Sequence, residues 1–213
     1  MKMREDIDRD LHELVEKHYY SEDYEIEWAA KQYYDALSAE EKDEMESVLV
    51  ERLTGAPGMS DISLCTRLGA ISLTPYLSAL LDKQAHSTSM SRALLAALSH
   101  QPDEEAFTSV ERFIESEQEG DALVCLARMN FKRALPHLRW AIQQSHLHNF
   151  CVHAIHEFAR HAGMEVAIHH LRELAAPNPD KLRPHLEKVL TSKKGDFNPF
   201  SEEELATLLA AVV

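Results

Sequence analysis

Glycine, proline and cysteine are all scarce in this chain, and each scarcity removes a class of protein. Six glycines and eight prolines in 213 residues are few, and with abundant Leu, Ala and Glu they favour helix. Strand-type alternation over four or more residues is missing as well, so the expected class is all-α. The three cysteines, Cys65, Cys125 and Cys151, are odd in number, widely spaced and set inside apolar stretches. They read as buried free thiols of a reducing compartment. No CxxC pair occurs, which argues against a zinc ribbon or a redox couple. Basic residues are also in deficit, 22 Lys and Arg against 36 Asp and Glu, a net charge of −14. Phosphate contacts need clustered cations, so nucleic acid is not an expected partner. No apolar run approaches a membrane span, and the first residues are too acidic for a signal or transit peptide. A cytoplasmic location without membrane contact is expected.

What the chain does contain is a helix hairpin recurring about every 30 residues between roughly Asp61 and Ala176. The first copy joins a helix beginning at Ile62 to one beginning at Thr74. The second pairs Met90–Ser99 with Glu104–Ile114, the third Ala122–Met129 with Arg133–Ile142, and the fourth Phe150–His161 with Met164–Leu174. The first strong apolar residues of the second helices, Leu77, Val110, Leu138 and Ile168, act as a ruler along the array. A fixed period of this length marks stacked units, none of which buries its apolar face alone.

The flanks differ in charge. Residues 1–55 hold 17 acidic and 7 basic residues, a balance of −10. Helices are expected over 5–18, with Ile7, Leu11, Leu14 and Val15 inward, and over 22–37. Ser38 with Glu41 forms a capping-box pattern opening a helix that carries Met45, Val48, Leu49 and Leu53. Ala56-Pro57-Gly58 is the clearest break. The expected organisation is an acidic helical extension over 1–57, a repeat array over 58–176 and a C-terminal cap over 177–213, in one continuous domain. Pro75 and Pro136 are expected in the first turns of second helices, and Gly120 in a turn between hairpins. Ser201 with Glu204 repeats the capping-box pattern before a strongly apolar final helix, through which self-association is conceivable.

Leu123-Val-Cys-Leu-Ala-Arg-Met, followed by Ala134-Leu-Pro-His-Leu-Arg-Trp-Ala-Ile, resembles the HEAT-type repeat, in its short version of phycobilisome-lyase-like proteins. The resemblance covers residues 60–176. It implies a right-handed α-α superhelix of about four helix pairs, an armadillo-type solenoid that presents a concave row of second helices to a protein.

Candidate chemistry is thin. Thirteen histidines are many, but His156-Glu-Phe-Ala-Arg-His161 misses the HExxH zinc motif. Its second histidine is five residues on, about 140° round the helix, where the motif needs four. His153, His156 and Glu157 remain as a weak metal alternative. Deoxyhypusine hydroxylase, an iron enzyme on similar repeats, uses paired His-Glu steps, and this chain has two, His12-Glu13 and His156-Glu157. No nucleophile–base pair, phosphate loop or carboxylate dyad is found. The expectation is therefore no catalytic residue, metal or cofactor. Better candidates lie off the buried face of the second helices. One residue past the ruler come Glu111, Arg139 and His169; two past it come Arg112, Trp140 and His170, with His137 beside them. Trp and Arg are the residues most enriched at binding hot spots. A second candidate face is acidic and aromatic: Glu22, Asp23, Tyr24, Glu27 and Trp28. The expected function is a non-enzymatic protein-binding scaffold, in a sharper form an inhibitor or immunity-type protein whose acidic face meets a basic partner. A metal-dependent enzyme using the histidines of 146–170 and a chaperone or assembly factor are the alternatives.

Overall fold

Local chemistry places the helix starts. Ser38 Oγ accepts the Glu41 amide at 3.3 Å and the Glu41 carboxylate accepts the Ser38 amide at 3.0 Å. Ser201 and Glu204 repeat that reciprocal bond at 3.3 and 2.8 Å, so both capping boxes read from the sequence are formed. The computed structural model describes residues 4–19, 32–68, 71–84, 88–101, 103–192 and 198–212. Among them every regular element is helical, and no helix is long and apolar enough to cross a membrane. The chain divides into two compact units, Met1–Ser109 and Val110–Val213.

In the first unit α1 (Arg4–Tyr19) packs on α2 (Ala39–Thr54) and α3 (Met59–Leu68). Ile7 and Leu11 are buried as expected, and so are Met45, Val48, Leu49 and Leu53. Most of the helix expected over 22–37 lies outside the described residues; 32–35 are helical and Leu37 is buried. Arg52 ties three helices together, reaching Asp8 of α1 at 2.7 Å and Asp61 of α3 at 3.2 Å. A short 3-10 turn (Ile71–Leu73) leads into α4 (Thr74–Lys83), with Pro75 in its first turn. α5 (Thr88–Ser99) packs on α3 and α4, and α4 also packs on α2. α6 (Glu104–Glu111) begins after Asp103, whose carboxylate accepts the Ala106 amide at 2.7 Å and the Thr74 hydroxyl at 2.6 Å.

The longest helix of the second unit is α7 (Glu119–Ala141), which is two helical runs meeting at Asn130. Asn130 has extended backbone, φ −159° and ψ 93°, and its side-chain oxygen accepts the Arg133 amide at 3.1 Å. It therefore caps the second run, and the break between the two helices expected for the third hairpin falls at this single residue. Pro136 does not fall in the first turn as expected, because Asn130 starts the run earlier and leaves the proline inside it. The same device recurs. Asn178 caps α10 (Pro179–Leu190), bonding the Lys181 amide at 3.3 Å, and Pro184 again lies within. Asn130 and Asn178 thus head parallel phrases, Pro136-His-Leu138 and Pro184-His-Leu186, whose leucines are both fully buried.

Gly120, expected in a turn, is instead a buried residue in the first turn of α7. A Cβ there would stand 2.4 Å from the ring of Phe150 on α8 (His148–Ala162). Its role is close helix approach. Gly163, at φ +92°, makes the corner between α8 and α9 (Met164–Ala175), a conformation that only glycine adopts easily. Besides α8, α7 contacts α9; α8 contacts α9 and α10; and α11 (Glu202–Val212) packs on α9 and α10.

One ruler residue shifts. Leu77, Val110 and Leu138 are fully buried, but Ile168 is only half-buried. The buried face of α9 is Ala167, Leu171, Leu174 and Ala175, an i, i+4, i+7 stripe that leaves Ile168 at its edge.

Cys65, Cys125 and Cys151 are thiols, and all three are buried. Burial pushes the thiols of Cys65 and Cys151 up to about 12, so neither carries appreciable thiolate at pH 8. Titration with a chromogenic disulfide at that pH is expected to detect almost no reactive thiol in the native chain and all three after denaturation. Fast native labelling of Cys65 or Cys151 would contradict the packing described.

Candidate functional site

Several residues of the predicted binding row are engaged within the protein. Arg139, on the last turn of α7, reaches α9: its Nε donates to the Leu174 carbonyl at 3.2 Å and an Nη to the Glu173 carbonyl at 2.9 Å. A guanidinium at a helix C-terminus satisfies carbonyls that have no intrahelical donor and meets the negative dipole end. Arg139 is thus a helix cap before it is a contact residue. Its replacement by alanine is expected to cost about 1.5 kcal/mol in a denaturant titration, with Arg139→Lys recovering only part. His137 Nε2 lies 2.9 Å from a Glu111 carboxylate oxygen, so that pair is likewise engaged internally.

Trp140 is different. It exposes 41% of its surface, next to the buried Leu138 and Ala141. Arg112 is also exposed, in the turn that follows α6. His170, placed in the same row by counting from Ile168, is half-buried, since the register of α9 follows Leu171 instead. Glu22, Asp23, Tyr24, Glu27 and Trp28 lie outside the described residues.

Within 146–170, His146, His148, His156, His161, His169 and His170 each lie beside a carboxylate or carbonyl oxygen. His146 meets Glu119 at 2.8 Å and His148 meets the Ile142 carbonyl at 3.0 Å. Glu157 stands between His156 at 3.9 Å and His161 at 3.5 Å. The His156 ring also packs edge-on against Phe200, with centroids 5.2 Å apart. The predicted metal alternative, His153 with His156 and Glu157, is not the trio that converges. Among the described residues that trio is His169, His170 and Glu173, whose donor atoms lie within 4.8 Å of one another.

These three occupy one turn and a half of α9. His170 Nδ1 is 2.6 Å from one Glu173 oxygen, and His169 Nε2 is 3.6 Å from the other. His170 sits against the stacked rings of Phe131 and Phe158, which are 4.1 Å apart, at centroid distances of 5.8 and 5.5 Å. The hydrogen bond from His170, then the charge of His170 and His169, hold the Glu173 carboxyl below its ordinary range. Glu173 was missed from the sequence. The signal for it is the i, i+4 spacing from His169 with i, i+3 from His170, which puts all three side chains on one helical face.

No family model, no curated protein and no solved structure matches this chain.

Proposed function

We propose that the chain is a stacked array of helix hairpins, of the HEAT-like solenoid kind, whose second helices bind another protein. The order of helix contacts supports the stacking. Within the first unit α1 lies on α3, α2 on α4, and α3 on α5; within the second, α7 lies on α9, α8 on α10, and α9 on α11. In these six pairs helices pack on elements beyond their immediate neighbours, as they do when successive hairpins share one apolar seam.

The observation that carries the binding role is Trp140. A large aromatic left 41% exposed on a helix whose other face is fully buried is unfavourable in isolation and favourable once a partner covers it. The partner is proposed to be a protein with a basic surface, because the acid excess concentrates in residues 1–55. An inhibitor or immunity-type protein is the narrow form of this reading. Complementary charge of this kind speeds association and loses effect as salt rises.

A photo-crosslinking residue placed at position 140, and in a second variant at the exposed Ala162 of α8, tests the reading in native lysate. The expected result is a discrete protein adduct from position 140, weakened by added salt, and none from position 162. Equal adducts from both positions would count against a specific face.

A further inference from the structure

We infer that His169, His170 and Glu173 form a binding site for one divalent transition ion of borderline softness, with Zn2+ as the representative. The inference stands apart from the protein-binding reading, since it needs no partner.

The donor set selects the ion class. Two imidazole nitrogens and one carboxylate suit Zn2+, Co2+ or Ni2+, whereas Ca2+ and Mg2+ take cages built almost wholly of oxygen. The geometry is close to what such an ion needs. Metal–donor bonds of about 2.0–2.1 Å in a tetrahedron put donors about 3.3 Å apart. His169 Nε2 and Glu173 Oε1 are already 3.6 Å apart. His170 Nδ1 and Glu173 Oε2, at 2.6 Å, must separate by well under one ångström, which a partly exposed glutamate achieves by turning about its own bonds. One carboxylate therefore faces both imidazoles, presenting a different oxygen to each, with a donor atom from each of the three residues within 4.8 Å of the others.

Two features make this more than a chance cluster. Phe131 and Phe158 wedge the His170 ring, so one of the three ligands needs little ordering on binding. In addition, Arg139 donates to the backbone carbonyls of Glu173 and Leu174, fixing the turn from which the carboxylate projects. Lys132 lies near enough for its charge to act on Glu173, and its exposed ammonium has solvent to retreat into when a cation arrives. His169 is the exposed ligand, 69% open at the side chain. The remaining coordination positions consequently face solvent, as in three-ligand sites that keep an open place for water or an incoming donor.

The test uses the full chain purified without a histidine tag. Zn2+ is titrated in competition with a chromophoric chelator, and Co2+ is followed by its visible absorption. The expected result is one equivalent bound, with a cobalt spectrum of low coordination number. Affinity is expected to fall at least about tenfold in both His169→Gln and Glu173→Gln, with the circular dichroism spectrum unchanged. His161→Gln, which removes a histidine outside the trio, is expected to leave affinity alone. His170 is left intact in these variants because it also packs against the two phenylalanines. Absence of stoichiometric binding, or binding that either His169→Gln or Glu173→Gln leaves undiminished, overturns the assignment.

Discussion

Leu171→Ala is expected to destabilise the protein by about 2–5 kcal/mol, the range for removing a fully buried leucine from a packed core. Ile168→Ala, three residues earlier, is expected to cost about 1 kcal/mol, because a half-buried side chain leaves less of a cavity behind. The pair decides the register of α9. Leu171 has no exposed surface and shares its face with Ala167, Leu174 and Ala175. Paired denaturant titrations measure both values under one set of conditions. A larger loss at Ile168 than at Leu171 would restore the register counted from the sequence, and with it His170 to the exposed row.

Gly120→Ala carries the second large effect, about 1–3 kcal/mol of destabilisation from overpacking. The methyl would fall 2.4 Å from ring atoms of Phe150, near the root of the side chain, where rotation moves them least. Elsewhere in a helix the same change is stabilising by about 0.5–1 kcal/mol, so the sign itself identifies the contact. Truncating the ring should reverse it. In a Phe150→Ala background the Gly120→Ala step is expected to become neutral or favourable, giving a coupling of at least about 1 kcal/mol in the double-mutant cycle. Additive losses would mean that α7 and α8 do not approach through this glycine.

How much of this was legible in the sequence depends on how local the deciding chemistry is. The capping boxes at Ser38 and Ser201 are complete within four residues, and both formed as read. The burial of Met45, Val48, Leu49 and Leu53 followed from one amphipathic period. Ile168 and Leu171 are equally apolar and one turn apart, so their order of burial is set by neighbouring helices, which a period cannot name. Gly120 looked like punctuation because a glycine that ends a helix and one that admits a ring are the same letter. Arg139 looked like a contact residue because its carbonyl partners lie 34 and 35 residues further on. The pairing of Glu173 with His169 and His170 is open to a spacing argument, i, i+4 and i, i+3, although no sequence motif marks it.

If Trp140 is the anchor of a protein-binding face, its removal should spare the fold and abolish the interaction. The direct measurement is quantitative capture from native lysate by the wild-type chain and by Trp140→Ala, with melting temperatures recorded for both. The account predicts that a protein retained by the wild type is reduced at least about tenfold by the substitution, with the melting temperature moved by only a few degrees. Identical retained proteins in identical amounts from the two chains would contradict it.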